Sequence, residues 1–538
     1  MVTIADADRW NIYHHHIGRV YWRCSLGSIE PVNAKVSTIA AWARAQRGNW
    51  AAIVETSTGT HLVTDTIRSF PILYLRQANR WVVSSTPRAL LRQIPNLQIN
   101  RDAAAEFRHT GFVLGSDTLL DNVHTVTAGH ALTLDPDGTT TEIEHTPFVY
   151  DSRMDMTEDA FLRIFHEQLL DLFSQFLADA RGRQIVVPLS GGADSRLLVA
   201  LLKHVGASHV LTFTYGTAGS KEVAVSREVA ETIGYPWISV PTDPHRMRAQ
   251  WYRPQTAEFL ADTWSGNALP HIQDWYALTQ LTQSEAIDAD AIVLPGHTVV
   301  GKIHDYWCVD PTLPFSIEDM TRMLSTHHLA LQGHPEFGWL TAYTRSKIVR
   351  FLRRYWPDEA PRARQSAMIG FNLAERQAKY ISNSMRAYEH FGLSWSLPMQ
   401  QQPVWETWLR APATLLDPGR TRYVEYANRE YSRFAGDKLD YFGAPAQRLP
   451  KTPVRMARTI LTRAGLLNHV NNLYRAGVEL RHPMGYEALR GSLSRAELAR
   501  RLLAGTNILG VYADLFLTNS WVPGASVIPP PSVNRTVV

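Results

Sequence analysis

Cysteine is almost absent from this chain: Cys24 and Cys308 are the only two in 538 residues. A disulfide-stapled scaffold is excluded, and the two thiols are open to being both buried, bridged to each other, or one of each. Charge of one sign is equally scarce, with 54 Lys and Arg against 50 Asp and Glu and no basic run or tail, so no nucleic-acid partner is called for. Long apolar runs are missing too. The best candidates, residues 197–202 and 293–295, fall far short of the roughly 18 residues of a bilayer span, and no membrane partner is expected. The start, MVTIADADRWNIYHHH, lacks the Lys/Arg-led apolar stretch of a signal peptide, which together with the sparse cysteines points to the cytoplasm. No fixed-period repeat is evident.

What is present is a globular composition, 45% hydrophobic and 19% charged, long enough for two or three domains. Between residues 50 and 149 short β-rich pieces (WAAIVE, HLVTD, ILYLR, RWVVSS, HALTLD, TEIEH) are broken by turns, with Asp-Pro-Asp-Gly at 135–138 as a hairpin signal. Few helices interrupt them, at 37–47 and 103–110, so the first domain reads as α+β. The period then changes: Thr157, Glu158 and Asp159 precede Phe161, Ile164, Phe165, Leu169, Leu170, Leu172, Phe173 and Phe176, an apolar stripe at helical spacing. A domain boundary near residue 150 follows, giving segments 1–150 and 151–538. The second segment opens with a strand at 184–189, a helix at 197–204 and a strand at 210–215, a βαβ unit that predicts a parallel sheet covered by helices. A helix and the strand 237–240 come next. Helical stretches dominate beyond residue 310, at 317–331, 341–355, 374–391, 422–434, 453–466 and 495–503.

The loop 190–195, Ser-Gly-Gly-Ala-Asp-Ser, leaves a strand and enters a helix, where open α/β sheets house their chemistry. Gly191 and Gly192 let the backbone approach an anion, the amides of the helix start and the Ser190 and Ser195 hydroxyls can donate to phosphate oxygens, and Asp194 can hold Mg²⁺. The same residues also make an ordinary capped turn. Gly-x-x-x-x-Gly-Lys-Ser/Thr is absent, so this is not a Walker A loop. His14, His15 and His16 suggest a metal site, but neighbours in a strand point to opposite faces and their rings cannot all converge.

SGGADS, within VVPLSGGADSRLLVALL, resembles the SGGxDS pyrophosphate loop of the asparagine synthetase-like, ATP-pyrophosphatase superfamily, with Ser190, Gly191, Gly192, Asp194 and Ser195 matching. The resemblance implies an α/β adenine nucleotide alpha hydrolase-like domain with a helical C-terminal part. It also implies an ATP-dependent ligase that activates a carboxylate as an acyl-adenylate, with ATP and Mg²⁺ as cofactors and Asp194 as a magnesium ligand. LTFTYG at 211–216 looks like the strand that holds adenine and ribose, which carries Thr214, Tyr215 and Gly216 into the nucleotide site. Upstream, VTDTIRSFPILYL and WVVSSTPRALLR are similar to the amino-terminal, Ntn-hydrolase-like glutaminase sandwich of asparagine synthetases. The partners so implied are a small-molecule or peptide carboxylate and an amine or ammonia, with a homodimer left open. A catalytically inactive nucleotide-binding scaffold is the alternative.

Two departures from the family pattern matter. Glutamine-using members expose a cysteine as residue 2; this chain has Val2, so the first domain is expected to lack glutaminase activity. The family's acidic loop aligns with LPGHTVVGKIHDYW, which has no carboxylate before Asp305, so either His297 and Asp305 substitute, with Asp305 the second metal ligand, or the metal arrangement differs. The segments LPHIQDW and AIVLPGH resemble asparagine synthetase-like proteins encoded with polysaccharide biosynthesis genes. Tyr388 and Glu389 resemble a tyrosine–glutamate pair that deprotonates an attacking amine in β-lactam synthetases, although helical neighbours point about 100° apart. Lys451, with Lys438 as the alternative, is the expected lysine facing the transferred phosphorus. Trp395, Trp405 and Trp408 form either a substrate wall or a packed face, and the proline-rich tail reads as an extended arm.

Overall fold

The structure is a computed structural model that describes residues 2–15, 18–31, 38–57, 59–151, 156–300, 314–333, 340–360, 363–416, 419–435 and 467–530. Its first part is built on two sheets. Strands β2 (Asn11–His15), β3 (Gly18–Cys24), β4 (Trp50–Glu55), β5 (Thr60–Thr64), β9 (His130–Leu134) and β10 (Thr140–Glu144) form one, in the order β10-β9-β5-β4-β3-β2. Strands β1 (Val2–Ile4), β6 (Leu73–Gln77), β7 (Arg80–Ser84) and β8 (His124–Thr125) form the other, in the order β1-β7-β6-β8.

Alternation along β4 explains the layering, because successive side chains leave a strand on opposite faces. Trp50, Ala52 and Val54 pack with Trp42 of the helix Ile39–Ala45, while Ala51 and Ile53 join the main core with Leu73, Leu75 and Val82 of the second sheet. The Asp-Pro-Asp-Gly turn closes the β9–β10 hairpin as expected, with Gly138 at φ +96°.

The last of these strands ends at Glu144, and the long helix Glu158–Ala180 begins after Thr157, whose side chain accepts from the Ala160 amide. Phe161, Phe165, Leu169, Leu172, Phe173 and Phe176 are buried along it, whereas Ile164 of the anticipated stripe is 43% exposed. A five-stranded, all-parallel sheet follows: β11 (Ile185–Pro188), β12 (Val210–Gly216), β13 (Trp237–Pro241), β14 (Ile292–Val293) and β15 (Ser394–Trp395), in the order β13-β12-β11-β14-β15. Chain order runs outward from β11 on both sides, so the crevice beyond the carboxyl ends of β11 and β14 is the switch point at which such sheets bind ligands.

Helices dominate after residue 316, as expected. The helix anticipated at 374–391 starts earlier, at Arg364, and runs through wide i→i+5 turns over Leu373–Ile381 and a tight turn at Ser382–Ser384 before Met385–His390. The widened stretch docks on the first part of the chain. Lys379 Nζ is buried against the carbonyls of Val113 (2.8 Å) and Gly115 (2.7 Å), and the Glu375 carboxylate accepts from the Gly115 amide at 3.1 Å. Trp395, Trp405 and Trp408 are all buried, the packed-face alternative. The described part of the tail lies against the body: the Ile99 amide donates to the Pro530 carbonyl, and Asn519 Oδ1 accepts from the Val527 and Ile528 amides. The helix anticipated at 453–466 lies outside the described residues. Among the described residues, no helix is long and apolar enough to cross a membrane.

Candidate nucleotide site

The SGGADS loop joins β11 to the helix Ala193–His204 and forms one wall of a cavity of about 220 Å³ at the switch point. The helix starts with a glycine at its N-cap position and no capping side chain. Its first amides are therefore free of the usual Ser/Asp acceptor, as an anion cradle requires. Ser190 Oγ lies 3.0 Å from Ser195 Oγ and accepts from the Gly192 amide at 3.2 Å, so the two hydroxyls brace the turn from within. Gly191 is demanded by packing: a Cβ there would sit 2.8 Å from Val225 Cγ1 of the helix Lys221–Ile233. Gly296, opposite, would place a Cβ 3.1 Å from the Ser195 amide nitrogen, so glycine keeps the two loops in contact across the crevice.

Of the residues anticipated from the sequence, Ser190, Gly192, Asp194, Ser195, Thr214, Tyr215, His297 and Tyr388 line this cavity together. Gly191 lies in the same loop, turned to Val225. The Thr214 hydroxyl is spent on structure, 2.5 Å from the Leu189 carbonyl oxygen and 2.6 Å from Ser226 Oγ. Gly216 ends β12 and its carbonyl accepts from the Thr242 amide, outside the cavity lining. Glu389 faces away from the cavity, to the junction with the first part of the chain. Its carboxylate meets Arg386 at 2.9 Å and Arg23 at 3.4 Å and accepts from Trp395 Nε1 at 3.1 Å. Burial pushes its pKa up, but the two guanidiniums and the indole N–H outweigh that and hold it below the usual carboxylate range. Asp305, Lys438, Lys451 and Cys308 lie outside the described residues. His14 is exposed, and His16 is likewise outside.

Three residues not singled out from the sequence organise the site. Asp274 receives the Tyr215 hydroxyl on Oδ1 and the Tyr388 hydroxyl on Oδ2, both at 2.6 Å. Burial, reinforced by that carboxylate, raises both phenols well above their ordinary value, so they remain protonated donors. Arg420 holds Asp194 through Nη1, 3.0 Å from Oδ1 and 3.2 Å from Oδ2, and donates to the Val300 carbonyl at 2.7 Å. His271 lines the cavity beside His297; burial lowers both imidazoles to about 4, so neither carries charge at neutral pH. Asp274 sat within the quoted LPHIQDW, but nothing in that string reveals two tyrosines converging on it.

The donor set fits a magnesium ion brought in with phosphates. Mg²⁺ takes oxygen ligands and is typically held by one or two carboxylates plus phosphate oxygens. Asp194 supplies one carboxylate, and exposed Glu222 stands at the same cavity. Neutral His297 is a poor Mg²⁺ ligand, although its Nδ1 is buried with no hydrogen-bond partner among the described residues, a polar atom left for a ligand to satisfy.

Fold and site together are those of a parallel α/β sheet with a glycine-rich loop walling a cavity at its switch point. The family model for asparagine synthase matches residues 180–271, which span β11, the SGGADS loop, β12 and β13. No curated protein matches the chain significantly. Among solved structures, an NH3-dependent NAD synthetase from Campylobacter jejuni in complex with nitrate matches at 13% identity and a TM-score of 0.20, over 27% of this chain and 60% of that one. Glutamine phosphoribosylpyrophosphate amidotransferase from B. subtilis, complexed with ADP and GMP, matches at 11% identity and a TM-score of 0.18, over 55% of this chain and 65% of that one. An allosteric regulatory enzyme of purine biosynthesis matches at 12% identity and a TM-score of 0.18, over 61% and 64% of the two chains. The matches thus span less than two thirds of each of these proteins and are too loose to carry an argument. The likeness to the asparagine synthase family is partial, and rests on residues 180–271.

Proposed function

We propose that the chain is an ATP-dependent carbon–nitrogen ligase that activates a carboxylate as an acyl-adenylate. The observation that carries this reading is the SGGADS loop at the carboxyl end of the central strand, walling a cavity at the switch point. In the proposed reaction a carboxylate oxygen attacks the α-phosphorus of ATP, and the bond to the bridging oxygen breaks to release pyrophosphate. An amine or ammonia then attacks the acyl carbon, AMP departs, and the nitrogen loses a proton to form the amide. The loop amides and the Ser190 and Ser195 hydroxyls receive the pyrophosphate. Mg²⁺ on Asp194 would supply charge neutralisation for the phosphates when bound. Tyr388, held by Asp274, stands at the cavity as a protonated hydrogen-bond donor that orients substrate, in place of the amine-deprotonating role expected of Tyr388 with Glu389. Lys451 is kept as the candidate cation facing the transferred phosphorus. The first 150 residues are assigned a glutaminase-like, Ntn-hydrolase-type sandwich that docks on the synthetase part through Glu389 and Lys379.

The test is MgATP binding by calorimetry together with ATP–pyrophosphate exchange across a panel of carboxylates. Asp194→Asn is expected to abolish exchange; exchange at the wild-type rate in that variant rejects the assignment. One observation favours a second reading, a nucleotide-binding scaffold without turnover: Arg420 occupies the carboxylate that Mg²⁺ needs. Turnover separates the two: a ligase shows ATP–pyrophosphate exchange with its carboxylate, whereas a scaffold binds MgATP and exchanges with none of the panel, in the wild type and in Arg420→Met alike.

A further inference from the structure

Away from the crevice, three helices bring two imidazoles and a carboxylate together. His166 comes from the helix Glu158–Ala180, His204 from the last turn of the helix Ala193–His204, and Glu430 from the helix Thr421–Ala435. One ligand atom from each lies within 4.8 Å of the others. We propose that His166, His204 and Glu430 form a Zn²⁺ site that ties these three helices together at the end remote from the SGGADS loop.

Two nitrogens and a carboxylate oxygen are a ligand set suited to Zn²⁺, which takes imidazole and carboxylate at about 2.0–2.2 Å and accepts a water as fourth ligand. Tetrahedral bonds of that length place ligand atoms about 3.4 Å apart. His166 Nε2 and Glu430 Oε2 are already 3.7 Å apart. His204 is exposed, its ring centroid is 5.7 Å from that of His166, and its ligand atom lies within 4.8 Å of the other two. The other nitrogen of His166 is engaged: Nδ1 lies 3.0 Å from the Tyr426 hydroxyl. With the proton on Nδ1, that contact fixes the tautomer whose Nε2 lone pair faces Glu430, as the outer partners of metal-binding histidines do. The opposing feature is Arg433, whose Nε meets Glu430 Oε2 at 3.0 Å and competes with a cation for it.

The experiment uses the full chain, stripped with chelator, in a background where His14, His15 and His16 are alanine so that the histidine triplet does not compete. Zn²⁺ is titrated by calorimetry and Co²⁺ by visible absorption. One equivalent is expected to bind, with a tetrahedral Co²⁺ spectrum and a Zn²⁺-dependent rise in melting temperature. His204→Ala, at an exposed position that leaves the fold intact, should weaken binding at least tenfold and remove the spectrum. Tyr426→Phe should weaken it about tenfold through the lost orientation of His166, and Arg433→Gln should tighten it. Absence of stoichiometric binding, or binding unchanged in His204→Ala, overturns the proposal. Because every readout is metal binding, failure here is distinct from failure of the ligase assignment.

Discussion

Asp274→Asn isolates the group that organises the candidate site. In the native chain both carboxylate oxygens accept from a phenol at 2.6 Å, Tyr215 on one side and Tyr388 on the other. A hydrogen bond to a charged partner contributes about 1.5–3 kcal/mol net. Asparagine keeps one carbonyl acceptor, so one tyrosine retains a neutral, weaker bond. The other hydroxyl meets an NH₂ group and must turn round to accept from it. The loss is therefore close to one charged bond, about 1.5–3 kcal/mol, with the half-burial of Asp274 favouring the lower end. The assay is chemical denaturation followed by tryptophan fluorescence in Asp274→Asn, Tyr388→Phe and the double variant. If the pair acts as described, the double-variant cycle gives a coupling above about 1 kcal/mol, and MgATP affinity falls roughly tenfold with it. Coupling within about 0.5 kcal/mol of zero, with unchanged affinity, refutes the view that Asp274 holds the two rings.

Glu389→Gln should destabilise the junction rather than the crevice, because Arg23 and Arg386 lose a buried counter-ion. A cost of about 3 kcal/mol is expected, read as a lowered melting temperature and proteolysis between the two parts, with MgATP affinity in the surviving folded fraction unchanged. The Cys24 thiol, pushed up to about 11 by burial and hydrogen-bonded to the Leu26 carbonyl, should alkylate slowly. At pH 8 its thiolate fraction is on the order of 0.001, so iodoacetamide labelling mapped by mass spectrometry should rise steeply with pH towards 11; fast labelling at pH 7 contradicts the raised pKa. Stability should fall in mild acid. His145, His271 and His297 are lowered to about 4 and His328 to about 3, chiefly by burial. A histidine with a depressed folded pKa contributes stability that is complete above its unfolded value near 6.5 and is lost as pH falls towards the folded one. Asp65, raised to about 6 by burial, works in the opposite direction with Glu106, Glu479 and Glu487, also raised by burial, while Asp117, Asp262 and Glu389, held low by their partners, lose stability in acid as the histidines do. A melting temperature that declines from pH 6.5 to 4 is expected, and a flat or rising profile contradicts the reasoning.

Local signals carried the parts of this protein that depend on near neighbours. The Asp-Pro-Asp-Gly hairpin, the Thr157-capped helix and the strand–SGGADS–helix unit are all specified within a dozen or so residues, by turn chemistry, capping and apolar period. Ile164 shows where such reading stops. It is apolar and close to the helical stripe, yet it faces solvent, because the width of the buried face is set by what packs on it. The helix anticipated at 374–391 was legible as helix, but its earlier start and widened turns follow from Lys379 and Glu375 reaching the backbone at 113–115.

The chemistry of the crevice divides in the same way. Residues 190–195 announce a glycine-rich loop between a strand and a helix by composition and position alone. Which carboxylate meets which partner is decided across 59 residues for Asp274 with Tyr215, 226 for Asp194 with Arg420 and 366 for Glu389 with Arg23. Tyr388 and Glu389 are adjacent in sequence and end on different sides of one helix, one at the cavity and one at the junction, since successive helical side chains diverge by about 100°. Sequence by itself therefore determined the loop and the elements that carry it. Only the tertiary structure decided how its charges are paired, because hydrogen bonds and ion pairs depend on distance in space, and no local pattern encodes a distance between residues hundreds of positions apart.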